Sequence, residues 1–293
     1  MTGPARGGIA AGMNILSIQS QVAWGHVGNA AAVFPLQRLG AEVWAVPTVL
    51  FSNHPGHGGF RGQAVAPALI RDLVAGLADR GVLPACDAVL AGYLGGLETG
   101  AALLEAVARV KAANPGAWFC LDPVIGDAGR VYVREGIPEF LRDQALPLAD
   151  LATPNQFELE WLTGQPVGTL AQAKAALARL QAMGPRCVMA TSLALADTPA
   201  GSLDLLAAEA GEWWRLRVPL LPRHFSGAGD TMAALFLFHR LASGNARTAL
   251  EAAAASVQGL LRWTAEAGAA ELLTVAAQEE FVRPSVRFSA AAC

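Results

Sequence analysis

The sequence predicts an α/β fold, a mostly parallel central sheet flanked by helices on both faces with an antiparallel hairpin at one edge. Three observations carry that expectation. Short apolar runs alternate with longer stretches rich in Ala and Leu, as in repeated strand-helix units. Two later strand-like runs are split by Ala-Gly, as in a tight hairpin. Apolar residues make up 53% of the chain against 15% charged, enough to bury sheet and helix surface extensively and to exclude a disordered chain.

In order, residues 14–18, 42–46, 87–91 and 117–121 read as parallel strands. A short apolar stretch, 149–152, follows, then a further strand at 187–191. Residues 204–208 and 213–218 form the expected edge hairpin. Helices over 228–241 and 247–265 finish the core, with Ser243-Gly244-Asn245 as the break between them. The 293 residues read as one domain over 13–288. A Gly/Ala-rich leader at 1–12 is expected to be disordered, and 289–293 to be a tail. Residues 52–63, dense in Gly, read as a long loop able to act as a lid.

Charge and cysteine spacing exclude several functions. A net charge of −3 without a Lys/Arg run argues against nucleic acid. The stretch between Arg6 and Arg38 lacks charge, but Gln19, Ser20, Gln21, His26, Asn29 and Pro35 interrupt it. No segment therefore approaches the ~20 apolar residues of a membrane span. Cys86, Cys120, Cys187 and Cys293 lie too far apart for a zinc or redox motif and read as reduced thiols of a cytoplasmic protein. The five His make no metal set, although His26 and His54 lie in Gly-rich segments open to a substrate.

The sharpest local signal is Gly227-Ala228-Gly229-Asp230, just before an apolar helix. Glycines let the backbone approach a ligand, and first-turn N–H groups point at an anion. Asp230 follows, placed to accept a proton from an attacking hydroxyl. An ordinary capped helix start accounts for the same four residues. Neither G-x-x-x-x-G-K-[ST] nor G-x-G-x-x-G is present, so a nucleotide would be held another way. A G-x-S-x-G elbow is also missing.

Asp122-Pro123-Val124-Ile125-Gly126-Asp127 follows a strand, where two carboxylates can reach Mg²⁺ or its waters; an Asp-Pro turn is the plain alternative. In Thr153-Pro154-Asn155-Gln156-Phe157-Glu158, Asn155 can cap a helix while Glu158 reaches back, and a metal-water role for Glu158 competes.

Together with Ser17-Ile18-Gln19-Ser20-Gln21-Val22, Gly25-His26-Val27-Gly28-Asn29-Ala30-Ala31, Phe34-Pro35-Leu36-Gln37, Phe51-Ser52-Asn53-His54 and Gly92-Tyr93-Leu94-Gly95, these segments resemble the pyridoxal kinases, the vitamin B6 branch of the ribokinase-like superfamily. The matches run in family order from about 14 to 285. The resemblance implies a ribokinase-like fold and ATP-dependent phosphorylation of the pyridoxal 5′-hydroxyl, possible also for pyridoxine and pyridoxamine. It implies a substrate pocket of Ser20, Val27, Pro55, Gly56, Tyr93 and Tyr132, with Ser20 bonding the pyridine ring. Asp230 would be the base, and Gly227, Ala228 and Gly229 the anion hole. ATP would meet Asp122, Thr153, Asn155, Glu158, Thr191 and Ser192. Asp122, Asp127 and Glu158 would arrange Mg²⁺, partly through water, and a monovalent cation, K⁺ or Na⁺. A homodimer is implied as well.

The chain departs from the family where Phe-Ser-Asn-His usually continues Thr-Gly-Tyr; here Pro55-Gly56-His57 follows, without the hydroxyl expected beside the substrate. Gln21 stands where His is frequent, and Thr191 where some bacterial members carry Lys. A hydroxymethylpyrimidine kinase of the same superfamily and a non-catalytic binder of pyridoxal or its phosphate are the competing assignments.

Overall fold

Neighbouring parallel strands run the same way, so the chain must return to the far end of the sheet between them, and helices make that return. The computed structural model describes residues 12–223 and 225–293; all but Gly12 of the expected leader lies outside them. The first half runs β1 (Asn14–Val22), α1 (Asn29–Arg38), β2 (Glu42–Phe51), β3 (Gly62–Ala64), α2 (Pro67–Asp79), β4 (Ala88–Ala91), α3 (Leu97–Ala113) and β5 (Trp118–Leu121). A small hairpin of β6 (Gly126–Asp127) and β7 (Arg130–Val131) follows, then α4 (Ile137–Phe140), β8 (Leu151–Ala152), α5 (Gln156–Thr163) and α6 (Leu170–Ala182). The chain ends with β9 (Cys187–Leu193), β10 (Ser202–Glu209), β11 (Glu212–Pro219), α7 (Ala228–Ser243), α8 (Ala246–Glu266), α9 (Glu279–Val282) and β12 (Ala291–Ala292).

Ten strands form one sheet in the order β12-β11-β10-β9-β8-β5-β4-β1-β2-β3. The strands from β9 to β2 are parallel, and both edges are antiparallel. The hairpin expected at one edge is there, and its turn residues Ala210 and Gly211 have φ of 51° and 81°, the doubly left-handed turn that matches strand twist.

Three differences from the sequence expectation have physical causes. β1 continues four residues past 18 because its polar Gln19 is satisfied inside: Gln19 Nε2 donates to Ser17 Oγ, which donates to Asn29 Oδ1. Residues 52–63 are a return rather than an open loop, since Gly62–Ala64 pairs antiparallel with β2 and makes the second edge. The segment 289–293, expected as a tail, closes the other edge: Ala291 and Ala292 pair with Arg215 and Trp214, and Ala290 is buried.

Strand alternation sends side chains to two cores. Leu16, Ile18, Phe119, Leu121, Val188 and Ala190 face α2, α3, α5 and α6. Ile15, Trp118, Cys120, Cys187 and Met189 face α1, α7, α8 and α9. Covered on both faces, the sheet leaves strand ends as the place where polar residues can meet a ligand. Among the described residues no helix is long and apolar enough to cross a membrane.

The edge hairpin is pinned by a buried carboxylate. Asp204 is 0% exposed and accepts from Arg217 Nε at 2.8 Å, from Arg215 and from Thr198 Oγ1. Burial alone would raise its pKa, but the bonds from Arg217, Arg215 and Thr198 outweigh that and hold the carboxyl down at about 2. Its contribution to stability is therefore present above 3.8 and lost as pH falls to about 2. Asp204→Asn is expected to cost about 3 kcal/mol in chemical denaturation and to remove that acid limb; an unchanged midpoint would show that the cluster does not hold the edge.

Candidate active site

The carboxyl ends of the parallel strands converge on a cavity of about 790 Å³. β1 contributes Ser20 and Val22, β2 Phe51, and the chain after β4 Tyr93. Asp122 follows β5, Thr153 follows β8, and Thr191 and Ser192 end β9. The start of α7, with Gly227, Ala228, Gly229 and Asp230, forms a further wall. Val27, Pro55, Gly56, Asp127, Tyr132, Asn155 and Glu158 complete the set: every residue that the family resemblance assigns to substrate, nucleotide, metal or catalysis lines this one space.

Gly227 makes the turn into α7 with φ of 87°, and a Cβ there would lie 1.8 Å from the carbonyl oxygen of His26. Only glycine fits. The next N–H groups lack partners within the helix, as at any helix start. Ala228 N reaches Phe225 O at a long 3.4 Å, while those of Gly229 and Asp230 meet no backbone acceptor among the described residues. Gly229 has open space where a side chain would stand. Burial raises the pKa of Asp230, against the opposing effect of the Gly28 N–H.

Opposite lies a carboxylate group built by α5. Asn155 and Glu158 form the capping box expected from their spacing, Asn155 Oδ1 accepting from Glu158 N and Glu158 Oε2 from Asn155 N, each at 2.9 Å. Glu158 does more than cap. Its Oε1 accepts from Ile125 N at 3.0 Å and Gly126 N at 3.4 Å, fixing the loop between Asp122 and Asp127. Burial pushes Glu158 up to about 7, against the bonds from Asn155, Ile125 and Gly126 and helped by Asp127. Burial, with Glu158 and Asp230 nearby, also holds Asp122 well above the usual carboxylate range despite a 3.0 Å bond from Thr153 Oγ1.

Among the described residues no three carboxylate, histidine or cysteine side chains form a complete metal cage. The donor set still fits Mg²⁺, which keeps several waters and takes one or two carboxylates with phosphate oxygens. Asp122 and Glu158 are buried, and no cationic side chain pairs with either among the described residues. β9 approaches the segment that leads into α5, Thr191 N donating to Pro154 O at 3.0 Å. Ser192 beyond it has φ of 57°, a strained value for a non-glycine residue and one that recurs at ligand sites.

On the β1–β2 side the cavity is lined by Ser20, Val27, Val49, Phe51 and Tyr93. Towards the edge hairpin and α8 lie Met189, Leu203, Pro219, Leu220, Phe225, Gln258 and Leu261. No local pattern marks this second wall, because its residues are apolar apart from Gln258 and come from separate elements. Arg130 and Arg223, the cations lining the cavity, were also missed. Of the two histidines flagged, His54 lines the cavity, whereas His26 contributes its backbone against Gly227.

Residues 85–274 match the family model described as phosphomethylpyrimidine kinase. The pyridoxal kinase PdxY of Granulibacter bethesdensis is 60% identical over 286 residues, 96% of this chain and 100% of that one. That of Rubrobacter xylanophilus is 52% identical over 279 residues, 94% and 96% of the two chains. Among solved structures, pyridoxal kinase from Leishmania donovani in complex with ADP and pyridoxine superposes with a TM-score of 0.88 at 31% identity, covering 96% of this chain and 99% of that one.

The raised carboxyls tie metal-free stability to pH. The folded chain keeps a proton on Glu158 that the unfolded chain releases, so this contribution is present below 4.5 and lost as pH rises through about 7. Without metal the melting temperature is expected to fall across that window, Glu158→Gln to flatten the fall, and Mg²⁺ to restore stability above it. A melting curve indifferent to pH and Mg²⁺ would rule this out.

Proposed function

Because the chain belongs to the pyridoxal kinase family, we propose that it transfers the γ-phosphoryl group of ATP to the 5′-hydroxyl of pyridoxal, giving pyridoxal 5′-phosphate. One observation carries this beyond family membership: the N–H groups of Gly229 and Asp230, without a backbone acceptor among the described residues, and the Asp230 carboxylate stand at one helix start that lines the cavity. Phosphate lies against the N–H groups, where the helix start and its partial positive charge favour it. Pyridoxal lies by Ser20, Val27, Pro55, Gly56 and Tyr93, with Tyr132 also lining the cavity. The nucleoside lies by Thr153, Asn155, Thr191 and Ser192.

Asp230 accepts the hydroxyl proton as the acceptor oxygen bonds to phosphorus. A buried carboxylate whose pKa is raised is a better base than a solvated one. The turn at Gly227 holds the N–H groups of Ala228, Gly229 and Asp230 fixed, so charge building on the transferred group meets dipoles already aligned. Asp122, Asp127 and Glu158 would hold Mg²⁺, partly through water, with a monovalent cation, K⁺ or Na⁺, beside them. Mg²⁺ when bound neutralises phosphate charge. The loop fixed by Glu158 keeps these carboxylates in place, and the 52–63 return excludes water from the acceptor end.

The kinase domain runs from residue 13 and includes the C-terminal strand that completes the sheet. Leu50 and Phe60 near the β3 edge and Leu69 and Leu73 on α2 are each at least 41% exposed, which supports a homodimer through this edge. A reaction that consumes ATP, with reduced cysteines, suits the cytoplasm.

Purified protein is expected to form pyridoxal 5′-phosphate from pyridoxal and MgATP, faster than it phosphorylates hydroxymethylpyrimidine. The reverse preference would move the assignment to the pyrimidine branch, and binding without turnover to the non-catalytic one. Asp230→Asn is expected to cut kcat by about 10²-fold or more with KM for ATP nearly unchanged. Near-normal turnover would remove Asp230 from its role.

A further inference from the structure

Glu271 takes no part in the transfer described above, yet its carboxylate joins three parts of the chain. It stands in the segment after α8 with its side chain 12% exposed. Oε2 accepts the backbone N–H of His26 at 2.9 Å, and Oε1 pairs with Nε2 of His57. A carboxylate has no proton to give, so His57 donates from Nε2. Gly25 leaves room for the arrangement, because a Cβ there would lie 2.3 Å from Oε2. Trp24 closes the cluster, its ring edge-on to His57 with centroids 5.2 Å apart.

Both tethers lead to the cavity. His57 ends the short helical turn Pro55–His57, whose Pro55 and Gly56 line the acceptor end. The carbonyl of His26 is the group that packs on Gly227. One side chain thus touches the cover of the acceptor and the support of the turn that presents N–H groups to phosphate. We propose that Glu271 is a positioning residue for the transfer: it clasps the 52–58 return over the acceptor through His57 and sets the Gly227 turn through the His26 backbone. The clasp rests on the kinase activity proposed above and adds to it the means by which acceptor and phosphoryl group are held in register. Misplacing either reactant by a fraction of a bond length loses much of the advantage of having bound it.

The test compares wild type, His57→Phe, Glu271→Met and Glu271→Gln by ligand-free amide hydrogen exchange and by steady-state kinetics. His57→Phe keeps a ring beside Trp24 and removes one tether; Glu271→Met keeps length and removes both. Glu271→Gln retains an acceptor and stands in should Glu271→Met fail to fold. In His57→Phe, exchange over 53–58 and KM for pyridoxal are expected to rise about tenfold, the size of one hydrogen bond to a charged group, with KM for ATP within about twofold. Glu271→Met is expected to do the same, to speed exchange of the His26 N–H and to lower kcat about tenfold further. Unchanged exchange at 53–58, equal shifts in both KM values, or a kcat in Glu271→Met no lower than in His57→Phe would overturn the clasp. A wild type that makes no phosphorylated pyridoxal would sink the kinase assignment instead, leaving the exchange comparison to decide the clasp.

Discussion

The carbonyl oxygen of His26 lies 1.8 Å from where a Cβ on residue 227 would have to be, so this backbone can close only on glycine. That approach joins the two ends of the sequence. His26 belongs to the segment after β1, and Gly227 opens the helix whose first N–H groups lie unbonded at the cavity. Gly28 is held in the same way, its φ of 54° bringing it against Ser20. The acceptor end and the anion-facing turn are therefore set by one pair of tight backbone contacts. Because backbone rather than flexible side chains makes them, the spacing between these two parts of the cavity is built into the fold.

Charge is arranged on a different principle. Asp122 and Glu158 are buried, and Asp230 lines the same cavity near enough to act on Asp122. Such a cluster is unfavourable alone, and burial and mutual repulsion raise the proton affinity of its members. The backbone N–H groups of Ile125, Gly126 and Asn155 offset part of this at Glu158 and also shape the Asp122–Asp127 loop. Arg130 and Arg223 add cationic side chains at the cavity wall. The cations proposed to accompany the nucleotide would complete the balance, so that substrate charge and protein charge complement each other only when both are present.

The elements that approach the site from outside, the 52–63 return and the segment around Glu271, meet through His57. Here the chain differs from the pyridoxal kinase pattern, having Pro55-Gly56-His57 in place of Thr-Gly-Tyr. The replacement keeps a ring at residue 57 and adds a nitrogen that donates to a carboxylate far along the sequence.

Strand alternation, the Ala-Gly hairpin and the helix after Asp230 are local patterns, so they could be read directly from the order of residues. The functional motifs were legible for the same reason. Gly227–Asp230, 122–127 and 153–158 each place their polar groups within one turn or strand end, and parallel strands then collect such ends on one side of the sheet. Fold class and the polar half of the candidate site can thus be read from residue order alone. The rest becomes visible only once the chain is folded. The wall of Leu203, Leu220, Gln258 and Leu261 comes from separate elements with ordinary core composition, and no short-range pattern marks it. The extension of β1 through Gln19 depends on Asn29, the second sheet edge on Gly62–Ala64 returning to β2, and the clasp on a Glu more than 200 residues from its partners. Each is a contact between distant segments, whose energy is realised only once the chain has closed around it.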